Sequence, residues 1–226
     1  MKRLLLSSLL LAGVAFAEEP VVVSSGTSSV SQTREESGQP WSVLGPKTLA
    51  PGDTALEAFA GYPSISAGFL RGISPGINIG GRVGFVYGVE GMFREAAPGL
   101  KIQGTLKLRF LDSGRVSLGM TFEPGIVNHW SYLQGSRTFL ALPVGFRLGI
   151  AASSAIAIAV LVDFPMWAEF GQFGGFNLPI LTGGGVEYFI TSQFAAFARA
   201  RIGPTIRTNR PAEVTFEASV GIGYRF

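Results

Sequence analysis

The chain has 226 residues, with 18 Lys and Arg against 15 Asp and Glu, a single His and no Cys. The lack of cysteine excludes disulfides and thiolate metal sites, and four Lys with no basic run give no footprint for nucleic acid. Charged residues make up 15% of the chain, against about a quarter in ordinary soluble domains, while Gly numbers 31 and Phe 18.

In chain order, Lys2 and Arg3 precede an apolar run from Leu4 to Phe16 and the small-x-small pattern Ala15-Phe16-Ala17. Residues 1–17 are therefore expected to be a secretory signal peptide. The run is shorter than the roughly 20 residues of a transmembrane anchor, and no Cys follows it, so it is not a lipoprotein signal. Without Lys2 and Arg3 the remainder carries 16 basic and 15 acidic residues, close to neutral. Residues 18–53 are rich in Ser, Thr, Val, Gly and Pro and have no apolar period. They are expected to form a flexible periplasmic segment. Trp41, Val43 and Leu44 offer a docking point within it, but a plain linker is the expectation.

Residues 54–226 repeat strand patterns, expected at Ala55 to Tyr62, Ile65 to Gly72, Ile77 to Gly88, Leu100 to Leu111, Arg115 to Val127, Arg137 to Ile150, Ala155 to Trp167, Leu178 to Ile190, Phe194 to Arg207 and Glu213 to Phe226. The fourth is the clearest. Leu100, Ile102, Leu106, Leu108 and Phe110 alternate with Lys101, Gln103, Thr105, Lys107 and Arg109, and a strand sends such alternate residues to opposite faces. Short connections at Ser74 to Gly76, Asp112 to Gly114, Ala151 to Ser154 and Thr191-Ser192 alternate with long ones at Val89 to Gly99, Asn128 to Ser136 and Ala168 to Asn177. In the final segment Val214, Phe216, Ala218, Val220, Ile222, Tyr224 and Phe226 share one face, and Glu213, Thr215, Glu217, Ser219, Gly221, Gly223 and Arg225 the other.

No internal run of 18 uncharged apolar residues exists, so no helix is expected to span a membrane. An exported, apolar chain has then one other way across lipid, a closed β-barrel. The terminal aromatic strand, with Val220, Ile222, Tyr224 and Phe226, resembles the assembly signal of small bacterial outer-membrane β-barrels, and the short and long connections resemble their periplasmic turns and outer loops. The resemblance implies an all-β, closed, antiparallel up-and-down transmembrane barrel over residues 54–226. It implies about ten strands, or eight without the first hairpin, and both termini in the periplasm. It implies outer-membrane lipids, lipopolysaccharide and the barrel assembly machinery as partners, with a monomer favoured. Aromatic girdles are expected from Tyr62, Tyr87, Trp130, Tyr132 and Trp167 at the outer end and from Tyr188, Phe189, Tyr224 and Phe226 at the periplasmic end.

Charges in such a wall must face the lumen. The expected inward set is Glu57, Arg82, Lys101, Lys107, Arg109, Glu123, Arg147, Asp163, Glu187, Arg199, Arg201, Glu217 and Arg225, paired across a narrow barrel. Gly80, Gly84, Gly119, Gly183, Gly185, Gly221 and Gly223 also point inward and are expected to leave wet gaps. The expected role is structural or interaction-based, or that of a narrow porin-like channel gated by Arg82, Arg109, Arg199 and Arg201.

His129 and Ser131 form a His-x-Ser pattern similar to the base and nucleophile of outer-membrane lipid A deacylases. The resemblance implies an orienting carboxylate that the neighbourhood of Pro143 lacks, with Glu123 and Glu169 as poor substitutes. Enzymatic activity is therefore not expected. Ten-strand outer-membrane proteases need several Asp and a His at the outer rim, whereas Asp53, Asp112 and Asp163 do not fall there. No metal cluster or cofactor motif is present in the sequence. A soluble, lipocalin-like, lipid-binding barrel is the remaining alternative; it would turn the same alternation inside out.

Overall fold

The computed structural model describes residues 41–89, 96–131, 135–170, 175–208 and 211–226. The expected signal peptide, residues 18–40 and Tyr132 lie outside the described residues. What is described belongs to one compact unit, Glu35–Phe226.

One antiparallel sheet holds twelve strands: β1 (Thr54–Tyr62), β2 (Ser64–Ser74), β3 (Ile77–Gly88), β4 (Ala96–Asp112), β5 (Val116–Phe122), β6 (Gly125–Ser131), β7 (Gly135–Ala151), β8 (Ile156–Phe170), β9 (Phe176–Pro179), β10 (Leu181–Phe189), β11 (Phe194–Arg207) and β12 (Glu213–Arg225). β1 pairs with β2 on one side and with β12 on the other, so the sheet closes on itself. β5 and β6 form one wall strand, because Phe122 opposes Leu106 and Gly125 opposes Gln103 in a single register of β4. Pro124 has no N–H to give, but its carbonyl accepts from Gly104 at 2.8 Å and carries the ladder across. β9 and β10 join in the same way through Ile180, whose N–H donates to Pro204 at 2.8 Å. The wall therefore has ten strands, and the first hairpin is part of it.

The faces follow the period-2 pattern. On β3, Ile79, Val83 and Phe85 are exposed outside, while Asn78 and Val86 are buried inside. On β4, Leu100 and Ile102 face out, while Lys101, Gln103, Thr105 and Lys107 are buried. On β12, Val214, Phe216, Val220, Ile222 and Tyr224 are exposed, as is Phe226 just past its end, and Thr215 and Glu217 are buried. A lipocalin-like barrel would show the reverse, with its apolar residues within.

Thr54 and Phe226 exchange backbone hydrogen bonds of 3.1 and 2.9 Å, which puts both ends of the wall at one mouth, here called proximal. The proximal turns are tight. Gly76 and Gly114 sit at φ of 90° and 79°, a region other residues enter only with strain. Asp112 accepts from the Gly114 N–H at 3.1 Å and from Arg109 at 2.6 Å, which closes the β4–β5 turn.

The opposite, distal end departs from expectation. The long connections are partly strand: β4 begins at Ala96, β6 ends at Ser131, β7 begins at Gly135, β8 ends at Phe170 and β9 begins at Phe176. β4 and β7 have 17 residues each, against 9 in β1. About 9–11 residues suffice to cross lipid, so this side of the wall stands well above the β1–β2 hairpin. The protruding ladder is held by backbone pairing, such as His129 with Arg137, and by an internal apolar cluster of Val86, Val89, Val127, Phe139, Ala141 and Trp167. Inward apolar residues there break the polar-in pattern, which is why the segments read as loops.

Two girdle residues also need correction. Trp167 is 6% exposed and packs edge-on to Phe139 at 4.8 Å, inside the wall. Phe189 is 7% exposed and meets Trp41 inside the proximal mouth. Each shares its parity with an inward carboxylate of the same strand, Asp163 and Glu187. Trp130, Tyr188, Tyr224 and Phe226 are exposed, while Tyr87 donates its hydroxyl to the Gly61 carbonyl at 2.6 Å.

Phe197 is buried, lies 4.9 Å from the Phe59 ring and occupies the space that a side chain on Gly221 would need. Phe197→Ala is expected to cost about 3–5 kcal/mol of stability, read as a lower midpoint in reversible urea unfolding from detergent micelles.

Candidate functional site

Residues 41–50, expected within a linker, lie inside the proximal mouth. Trp41, Leu44, Pro46 and Leu49 are buried. Trp41 donates from its indole N–H to the Ser192 carbonyl at 3.0 Å, in the β10–β11 turn. Lys47 reaches the other side of the mouth, donating to the Gly114 carbonyl at 3.0 Å. Further on, the Leu49 N–H donates to Asn78 at 3.1 Å, and Ala50 lies against Gly72. The segment thus crosses the opening from β10 to β5 and returns to enter β1.

Glu187 is the anchor of this plug. It is fully buried, and its carboxylate accepts from the N–H groups of Val43 and Leu44 at 2.6 and 2.9 Å and from the Ser42 hydroxyl. The Ser42 oxygen also accepts from the Gly45 N–H at 2.6 Å, which folds the segment into a turn. Lys107, equally buried, donates to the Ser42 carbonyl at 2.6 Å. Hydrogen bonds to ionised groups are roughly twice as strong as neutral ones. Two lumen charges of opposite sign therefore grip the plug backbone.

The inner-wall glycines make room for it. A side chain on Gly119 or Gly149 would meet Pro46, one on Gly185 would meet Leu44, and one on Gly223 would meet Val43 and Trp41. Gly119, Gly185 and Gly223, expected to leave wet gaps, face plug side chains instead, and so does Gly149. The plug's apolar residues join two clusters, Trp41 and Leu49 with Leu70, Phe189 and Ala195, and Leu44 with Phe59, Leu161 and Phe197.

Beyond the plug, toward the distal end, the lumen holds ion pairs. Arg82 bridges Glu57 at 2.5 Å and Glu123 at 2.8 Å. Asp163 bridges Arg147 and Arg201, the latter at 2.6 Å, and Arg201 also pairs with Glu217. Arg82 and Arg199 both lie over the Phe59 ring, at 4.4 and 5.3 Å. Lys101 is buried on β4 between these pairs and the distal apolar cluster. The enclosed space among the charges is about 50 Å³, room for a few water molecules and far too little for a permanent wide pore.

Two charges of the expected inward set sit at the rim. Arg109 pairs with Asp112 at the β4–β5 turn, so it does not gate the lumen centre. Arg225 lies 3.7 Å from Asp53 beside the β1–β12 seam. Val220, Ile222, Tyr224 and Phe226 line the exterior of that seam.

His129 faces inward at the distal end, 5% exposed and edge-on to Phe139 at 5.1 Å. Ser131 ends β6 opposite Gly135; its side chain lies outside the described residues. The two carboxylates weighed as partners are engaged elsewhere, Glu123 by Arg82 and Glu169 by Arg137 at 3.5 Å. Among the described residues no group of three or more His, Asp and Glu could hold a metal ion.

No protein-family model matches the chain, and no curated protein matches it. Among solved structures it is similar to the outer membrane protease OmpT from Escherichia coli, at 9% identity and a TM-score of 0.47, covering 77% of this chain and 93% of that one. It is also similar to the N-terminal β-barrel domain of Pseudomonas aeruginosa OprF, at 12% identity and a TM-score of 0.32, covering 78% and 98% of the two chains. The KdgM porin matches at 8% identity and a TM-score of 0.37, covering 77% and 99%.

Glu187→Ala removes the acceptor for both plug N–H groups and one of the two carboxylates near Lys107. The plug is expected to leave the mouth, seen as at least tenfold faster proteolysis within residues 41–53 of the detergent-solubilised protein, with the wall itself still resistant.

Proposed function

We propose that the chain is an integral outer-membrane β-barrel protein with a structural or interaction role, its lumen closed at rest by its own residues 41–50. The observation that carries this reading is the inversion of faces around a closed wall. Large apolar side chains cover the exterior at about half exposure, such as Val83 at 55% and Val220 at 58%, while Glu57, Lys107, Asp163, Glu187 and Glu217 are buried within. A barrel leaves no unpaired backbone edge in hydrocarbon, which makes it the β solution for crossing lipid. Both termini are proposed to be periplasmic, in keeping with the tight proximal turns and the deeper distal connections. The proposed partners are outer-membrane lipid, lipopolysaccharide and the assembly machinery that would read the Val220–Phe226 face.

A second reading, a narrow porin-like channel, is favoured by the ion-lined space distal to the plug. Under this reading the plug is displaced before conduction. An enzymatic reading is not proposed; Glu123 pairs with Arg82 and Glu169 with Arg137.

Fractionation and planar-bilayer recordings test these readings together. The protein is expected in the outer-membrane fraction, with no unitary conductance above bare lipid. Deletion of residues 41–50 is expected to produce small, discrete steps if the plug alone blocks the lumen. Recovery in the soluble fraction would end the membrane reading, and steady conductance in the intact chain would end the closed-at-rest reading.

On the exterior, Val83→Lys should cost about 2–4 kcal/mol when unfolded from phospholipid vesicles, the penalty for a cation near the bilayer midplane. In lipid-free detergent the same substitution should cost much less.

A further inference from the structure

Among the described residues, cations outnumber carboxylates around one cavity of the lumen. Five cations line the space distal to the plug, Arg82, Lys101, Arg147, Arg199 and Arg201, with Glu123, Asp163 and Glu217. Glu57, beside Arg82, brings the carboxylates to four. Arg199 stands out. It donates from Nε to the Ser219 hydroxyl at 2.9 Å and lies over the Phe59 ring. Among the described residues no carboxylate forms an ion pair with it, so its terminal guanidinium nitrogens are left to the cavity.

A charge without an ion-pair partner is costly in a narrow, low-dielectric lumen, and Asp163, whose charge Arg199 feels, is already bridged by Arg147 and Arg201. The same space is lined by Tyr62, Pro63 and Ser64 of the β1–β2 turn. That is the low side of the wall, so the cavity reaches the distal end there. Its volume of about 50 Å³ is far below the roughly 300–1,000 Å³ of pockets that take drug-sized ligands. A sugar ring does not fit. A guanidinium fork with one free edge matches a small tetrahedral or planar oxyanion.

We propose that the distal lumen binds one phosphate-like oxyanion at Arg199, entering beside the β1–β2 hairpin. The anion gives the open edge of the Arg199 guanidinium a partner. It comes from free phosphate in solution or from the phosphate of a lipid headgroup at the low rim. Binding needs the closed wall and its ion pairs, and is independent of whether the barrel conducts.

The test uses the full chain in detergent, in gluconate buffer of fixed ionic strength, with inorganic phosphate titrated against the thermal unfolding midpoint. A saturable rise is expected in the wild type. Arg199→Gln should weaken the apparent affinity at least tenfold and Arg199→Lys by less, while Arg207→Gln, which removes a distal cation already paired with Glu213, should leave it unchanged. A second arm places the protein in phosphatidylcholine vesicles with and without phosphatidic acid. An Arg199-dependent rise there but not with inorganic phosphate assigns the source to a headgroup. The absence of a saturable rise in both arms, or an equal rise in an Arg199 variant that folds, overturns the proposal. If Arg199→Gln does not fold, the Arg199→Lys comparison decides.

Discussion

Closure of the hydrogen-bond ring is the constraint on which every other feature rests. The outward residues of β3, β4 and β12 cannot shield backbone polar groups from their surroundings, so each N–H and C=O must find its partner in a neighbouring strand. The pairing of β1 with β12 removes the last free edge. It also creates an inside, and only with an inside can Glu57, Lys107, Asp163 and Glu217 be buried without being stranded. Even the proline at 124 keeps to this requirement, lending its carbonyl to the ladder where it has no N–H.

Within the ring, space is divided along the axis. The proximal third is filled by residues 41–50, seated on glycines and gripped by Glu187 and Lys107. The centre is ionic, and the distal end is apolar, around Phe139 and Trp167. Ten-strand walls of this size are commonly filled by their own side chains. Here the filling is partly done by a segment that precedes the wall. This is why the wall itself carries so many small residues facing inward.

The wall was legible because its alternation is strict. Lipid-suited Ile, Val and Phe on one side and charged or small residues on the other set the face of nearly every strand, and Ile77 to Gly88 and Phe194 to Arg207 have the same limits in sequence and structure. The plug was only half legible from its own residues: Trp41, Val43 and Leu44 offered a docking point, but Trp41 to Ala50 has no period and forms no strand. Its imprint was present elsewhere, in Gly119, Gly149, Gly185 and Gly223, all of inward parity near the proximal turns. The placement of Trp167 and Phe189 was available too. Counting in twos from Asp163 and Glu187 turns both rings inward, but their aromatic character suggested an interfacial belt. The distal hairpins were missed for a different reason. Beyond the belt the inside itself turns apolar, at Val127, Phe139 and Trp167, so the alternation fades while the backbone pairing continues.

The plug's seat has an implication for the order of events in biogenesis. Residues 41–50 emerge before any strand, yet their contacts lie with Gly185, Glu187, Ser192 and Gly223, which follow most of the wall strands in sequence. The early segment has no complete socket until β10 and β12 exist. The stopper is thus made first and fitted last, and the nascent cylinder stays uncorked until its final seam is sewn.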